Sequence, residues 1–147
     1  MEAHAVGFWK RFLALFLDGI LFSLIFIPTM LLLGLDLLEP GLTFEVIEII
    51  LQLGYQIVLP VLWVGYTVGK RMLGIRIVRM DGSDVTFGTM FMRQAVGMII
   101  YALTLGIGVI VSAIMIASRT DRRAIHDLIA RTYVTSELPN EATDHDA

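Results

Sequence analysis

The chain has 147 residues, 56% of them hydrophobic; with Gly counted in place of Tyr the share is about 62%, well above the 45–50% typical of soluble domains. Charged residues make up 17%, the mean hydropathy is +0.77 and the formal net charge is −3, a balance that excludes an ordinary soluble enzyme, a disordered tail and a nucleic-acid binder. The length fits one domain. There is no Cys, and His4, His126 and His145 are widely dispersed, so neither a disulfide framework nor a metal centre or other cofactor is expected. The expected partner is the lipid bilayer.

The positions of the basic residues matter more than the net charge. No Lys or Arg stands between Phe12 and Gly69. Within that stretch a first helix is predicted over about 8–35, around the apolar run Phe12–Leu33, whose only charge is Asp18. Twenty-two residues at about 1.5 Å each match a hydrocarbon core of about 30 Å. A second helix is predicted over about 45–69. It carries Glu48, Gln52 and Gln56 on one face, with Trp63 and Tyr66 near its basic end, where amphipathic rings favour the interface. The connector holds Asp36, Glu39, Pro40 and Gly41 and reads as a non-cytoplasmic turn, leaving Lys10, Arg11 and the 70–79 cluster inside.

Residues 74–86 read as a small cytoplasmic β-ribbon turning at Asp81-Gly82, and 132–135 as a short strand able to pair with the ribbon at Ile75 to Arg79. The apolar stretch from Phe87 to Ala117 would be about 46 Å long as one straight helix, too long for a single span. A break at Leu105-Gly106-Ile107-Gly108 divides it into helices at about 87–104 and 107–118. As a hairpin they return the chain to the cytoplasm and place Arg119, Arg122, Arg123 and Arg131 with the other cations; a single crossing is the rival topology. A short cytoplasmic helix is predicted over about 121–130, followed by a disordered acidic tail over 136–147. The expected fold is thus an all-α membrane protein: a polytopic bundle of three to four helical segments with a small β-ribbon. The domain covers residues 1–135, and both termini are cytoplasmic.

Asp18 is the candidate proton or cation site, because an intramembrane acid costs about 2.5–3.5 kcal/mol on insertion scales and must face protein or water. The bland reading is a buried acid that fixes helix packing. Arg11 lies two turns before it and is either a headgroup anchor or the counter-ion of Asp18 or of Asp127. Asp127 sits four residues from both Arg123 and Arg131, where surface pairs contribute only about 0.2–0.5 kcal/mol, and the neighbouring His126 titrates near neutral pH when unperturbed. Glu48, Gln52 and Gln56 are the candidate polar pathway. Pro28 and Pro60 each remove a helix bond.

The segments Gly7-Phe8-Trp9-Lys10-Arg11-Phe12, Asp18 in the following helix, Gly69-Lys70-Arg71-Met72-Leu73-Gly74-Ile75-Arg76-Ile77-Val78, Arg93 and the run from Arg123 to Val134 together resemble the RDD family of small prokaryotic membrane proteins. The resemblance makes Arg11, Asp18 and Asp127 the residues for which that family is named. Arg131 departs from it, standing where relatives often carry Gly. The resemblance implies a transport role, with sodium–proton antiport associated with some relatives, and gives Asp127 a tertiary role. No phosphate loop, zinc motif or nucleophile elbow is present, so no enzyme activity is expected. The leading expectation is cation–proton exchange in a homo-oligomer, with a monovalent cation and a proton as ligands. The alternative is a membrane scaffold or accessory subunit in which the same three residues are structural.

Overall fold

The computed structural model describes residues 5–36 and 38–136; the 137–147 part of the expected tail lies outside them. Helix α1 (Phe8–Leu32) has 25 residues and α2 (Leu42–Leu62) has 21, about 37 and 31 Å of rise. Both are long and apolar enough to cross a membrane. Large apolar side chains such as Leu24, Ile25, Leu32, Ile50 and Leu62 point away from the protein, as expected where lipid is the solvent.

The second helix ends earlier than its hydropathy predicts. Pro60 lies in its last turn, and Val64 and Gly65 then take left-handed conformations (φ 55° and 93°), which reverse the chain. Thr67 restarts it, its hydroxyl accepting the Lys70 N–H to cap the short α3 (Val68–Met72). This helix folds back against α1. A Cβ at Gly69 would lie 2.2 Å from the Ala14 carbonyl oxygen, so only glycine permits the approach.

Strand β1 (Arg76–Arg79) pairs antiparallel with β2 (Thr132–Thr135), Ile77 opposite Val134. The expected pairing of 132–135 with 75–79 is present, while the ribbon itself is corrected: 74–86 does not fold onto itself. After the Asp81-Gly82 turn, Val85 enters the core and Thr86 is committed to capping α4 (Phe87–Leu103) by accepting the Thr89 N–H, leaving β2 as the partner of β1. Arg76 is 1% exposed and contacts Asp84 at 3.2 Å. Val6, Ala14, Ile57, Ile75, Ile77, Val85, Met90 and Val134 form the core around the sheet.

Helices α4 and α5 (Ile107–Ser118) bend by 119° at Leu105 (φ 51°) and Gly106 (φ 86°), within the glycine-containing break. Helix α6 (Ile125–Ala130) is shorter than predicted because Arg122 (φ 49°) turns the chain and Asp121 is drawn onto Arg119. The sheet then fixes the connectivity. Residues before α4 and after α5 hydrogen-bond to each other, and the Val6 N–H donates to the Val134 carbonyl. Three chain segments separated by apolar helices thus meet in one hydrogen-bonded unit, and such a unit cannot be drawn through hydrocarbon without losing those bonds. The chain thus comes back to the sheet after the α1–α2 pair and again after the bent α4–α5 pair.

A topology measurement follows, since the chain has no native thiol to compete. Cysteines introduced singly by Ser136→Cys and Arg79→Cys are expected to react with an impermeant maleimide from the same side of the membrane, and Glu39→Cys from the opposite side. Opposite labelling of positions 79 and 136 would rule out the shared sheet.

Candidate functional site

Two carboxylates organise the buried polar groups. Asp18 is 2% exposed and accepts three hydrogen bonds: from the Tyr55 hydroxyl (2.7 Å), the Thr67 hydroxyl (2.7 Å) and the Gly69 N–H (2.8 Å). The Tyr55 hydroxyl in turn accepts the Val68 N–H at 2.9 Å. Asp18 therefore ties α1 to α2, to the connector and to α3. Arg11 is not among its partners.

Asp127, 0% exposed, is held by guanidinium groups from two other helices. Arg11 Nη1 donates to Oδ2 at 2.5 Å, and Arg93 Nη1 lies 2.5 Å from Oδ1. Its position three residues after the N-cap of α6 lets Oδ2 also accept the Ala124 N–H at 3.0 Å, closing the helix's first turn. Arg123, expected at i,i+4 spacing to pair with the Asp127 carboxylate, donates instead to the Asp127 and Thr132 carbonyls. The remaining Arg11 donors reach the Val6 and Arg122 carbonyls, so this one side chain ties α1 to both the segment before it and the approach to α6.

His126 extends the cluster. Its Nε2 lies 3.0 Å from Arg93 Nη2 and its Nδ1 lies 2.6 Å from the Tyr101 hydroxyl, which lies 3.0 Å from the Ser112 hydroxyl. Because guanidinium only donates, Nε2 must accept; Nδ1 then carries the proton and donates to Tyr101, whose own proton goes to Ser112. The ring is neutral in this arrangement. Burial, reinforced by the Arg93 charge, pushes its pKa down to about 3. Burial works to raise the Asp127 pKa, but Arg93 and then Arg11 outweigh it and hold the carboxyl well below the ordinary range.

The proposed polar stripe is less continuous. Gln56 accepts from Gln94 of α4 at 3.4 Å, Glu48 is half-buried and Gln52 is exposed. Sequence reasoning did not assign roles here to Tyr55, Thr67, Arg93 or Tyr101, and gave Ser112 only a part in close helix packing. Two signals pointed to them. A carboxylate in an apolar helix requires donors from neighbouring elements, and a buried cation such as Arg93, within an otherwise apolar stretch, requires an acid.

Residues 5–131 match the RDD family profile, and the span contains the Arg, the two Asp and the second guanidinium that clasps one of them. The chain belongs to the RDD family. This RDD protein is 45% identical over 135 residues to the uncharacterized protein YckC of Bacillus subtilis (strain 168), a match covering 92% of this chain and 87% of that one. It is 31% identical over 155 residues to the uncharacterized protein YxaI of the same organism, covering 91% and 98%. No solved structure matches it. The departure at Arg131 has a local cost: the residue ends α6 in the left-handed conformation (φ 52°, ψ 49°), which glycine adopts freely and an L side chain adopts at about 1–2 kcal/mol.

Two measurements test the cluster. Asp127→Asn leaves two guanidinium groups without their anion and is expected to destabilise the detergent-solubilised protein by about 3–5 kcal/mol, whereas replacing Arg11, Arg93 and Asp127 together by Met, Leu and Leu should recover most of that loss. A triple variant no more stable than the single one would show that the charges are not mutually compensating. For His126 the unfolded state binds a proton below about 6.5 while the folded state resists it down to about 3. This histidine therefore makes stability fall as pH drops through that window. His126→Asn is expected to flatten that part of the melting-temperature profile, and an unchanged slope would contradict the neutral, buried ring.

Proposed function

We propose that this RDD protein is a non-enzymatic, multi-pass scaffold or accessory subunit of the prokaryotic cell membrane, with its sheet side in the cytoplasm and Arg11, Asp18 and Asp127 serving as structural clamps. The basic residues support this orientation: Lys10, Arg11, Lys70, Arg71 and Arg119 to Arg131 all belong to the sheet side, as expected of a cytoplasmic face. The observation that carries the structural reading is the set of partners at Asp18. Three donors from α2, the connector and α3 occupy its oxygens. A carboxylate exchanging a proton for a cation would have to release at least one of them, and with it the contact between α3 and α1.

A second reading, cation–proton antiport by a homo-oligomer, has one specific observation in its favour: this nearly inaccessible carboxylate lies within a helix of membrane-spanning length. Release of Tyr55 on protonation would then couple the carboxylate to α2, and Gln56, Gln52 and Glu48 would line the route beyond it.

Asp18→Asn separates the two. The amide oxygen can keep the bonds from Tyr55 and Gly69, but its NH2 group meets the Thr67 hydroxyl, which must turn to accept and so loses the buried acceptor for its own proton. The structural reading expects a loss of about 1–3 kcal/mol in stability and of assembly. Cation-dependent proton movement in vesicles should not differ between wild type and variant. The transport reading expects a normally assembled variant that has lost such movement, and that result would displace the scaffold assignment.

A further inference from the structure

At the sheet-side end of the molecule, the first turn of α1 and the last turns of α5 leave between them a groove of about 550 Å³, lined by Phe8, Trp9, Ala113, Ile114, Ala117 and Arg122. Its form follows from the sequence. Ala113 and Ala117 are four residues apart on one face of α5, so two small side chains make a shallow trough, and the exposed Trp9 forms part of its wall.

A single guanidinium stands among these apolar walls, and it is held in place. Arg122 Nη1 donates to the Ala5 carbonyl at 3.1 Å, and the Arg122 carbonyl accepts from Arg11 at 2.6 Å. The Asp127 cluster thus positions the segment that carries this cation. The adjacent carboxylate is taken: Asp121 is gripped by Arg119 at 2.8 and 2.9 Å. Among the described residues no acid pairs with Arg122, and its Nε and Nη2 groups remain available.

We propose that this groove binds a phospholipid with an anionic headgroup, its phosphate on Arg122 and one acyl chain in the trough between α1 and α5. Guanidinium presents a planar fork suited to phosphate, and the trough supplies the apolar surface that an acyl chain covers. A second copy of the chain fits the same place poorly. Copies inserted in one orientation bring their basic sheet-side ends together, so Lys10 and Arg122 would meet their like. This assignment requires residence in a membrane and is independent of whether Asp18 moves ions.

The test is native mass spectrometry of the purified full chain titrated with phosphatidylglycerol or phosphatidylcholine carrying the same acyl chains. Wild type is expected to retain phosphatidylglycerol preferentially. Arg122→Gln should weaken that retention about tenfold, the loss expected when a charged hydrogen bond is removed. Arg122→Lys, which keeps the charge without the fork, should fall between them. Ala117→Leu fills the trough and should lower retention of both lipids, whereas Arg79→Gln removes an equal charge elsewhere and should change nothing. Thermal melting of each variant verifies that it is folded. Equal retention of the two lipids by wild type, or undiminished phosphatidylglycerol retention by folded Arg122→Gln, would overturn the proposal. So would a dimer that disappears in Ala117→Leu, because it would identify the occupant as a second copy.

Discussion

The arrangement depends on one buried carboxylate answered by two guanidinium groups from distant parts of the chain. Asp127 is drawn out of water completely, and by itself that would cost several kcal/mol. Arg11 and Arg93 compensate it because each comes from a different helix. Satisfying the charge therefore requires α1, α4 and α6 to converge on one point. Such a cluster adds little net stability compared with a well-packed apolar substitute, but it penalises heavily any arrangement that separates its members. In a membrane this matters more than in water, since lipid tails are as apolar as leucine and hydrophobicity alone does not decide which helices meet.

The sheet performs the complementary task for the backbone. Four residues of β1 and four of β2 pair, Val6 adds its own bond at the edge, and both strands are largely covered by surrounding side chains. The polar backbone of three connecting segments is thereby satisfied internally at one end of the molecule. The apolar helices project from the other. Asp18 links these two regions. Its partners Tyr55, Thr67 and Gly69 attach the short α3 to α1, and the Arg71 guanidinium lies 4.9 Å from the Trp63 ring at the end of α2, where a cation and an aromatic ring together suit a membrane interface.

The parts legible in the sequence are those that depend on local composition or spacing. The absence of cations from Phe12 to Gly69 marks the first two helices, and the glycine-containing break near Gly106 marks the bend between α4 and α5. The family resemblance singles out Arg11, Asp18 and Asp127, and all three are buried or nearly so. The Arg11–Asp127 pair is among the alternatives the sequence offers, but nothing near either residue selects it across a separation of 116 positions, and the donors around Asp18 are not legible. The pairing of 76–79 with 132–135 is legible in the two short β-branched runs, but a second ribbon strand after the Asp81-Gly82 turn does not form, because Val85 is needed in the core and Thr86 as a cap. The i,i+4 spacing from Arg123 to Asp127 was likewise misleading. On a helix this short, the carboxylate serves the N-terminal turn and the two incoming guanidinium groups, so the nearby arginine takes carbonyl oxygens instead.

Charge balance at the junction leads to Lys70. Its amine interacts electrostatically with Asp18 and Asp127 on one side and with Arg93 and Arg11 on the other. Burial, followed by repulsion from Arg93, lowers its pKa to about 8. With Lys70 protonated, three cations face two carboxylates; with it neutral, the two sides are equal. Among the described residues the Lys70 ammonium forms no ion pair, and α3 is brought against α1 by the close approach at Gly69 and by its hydrogen bond to Asp18. The same amine is thus attracted by both carboxylates and repelled by both guanidinium groups that clasp Asp127.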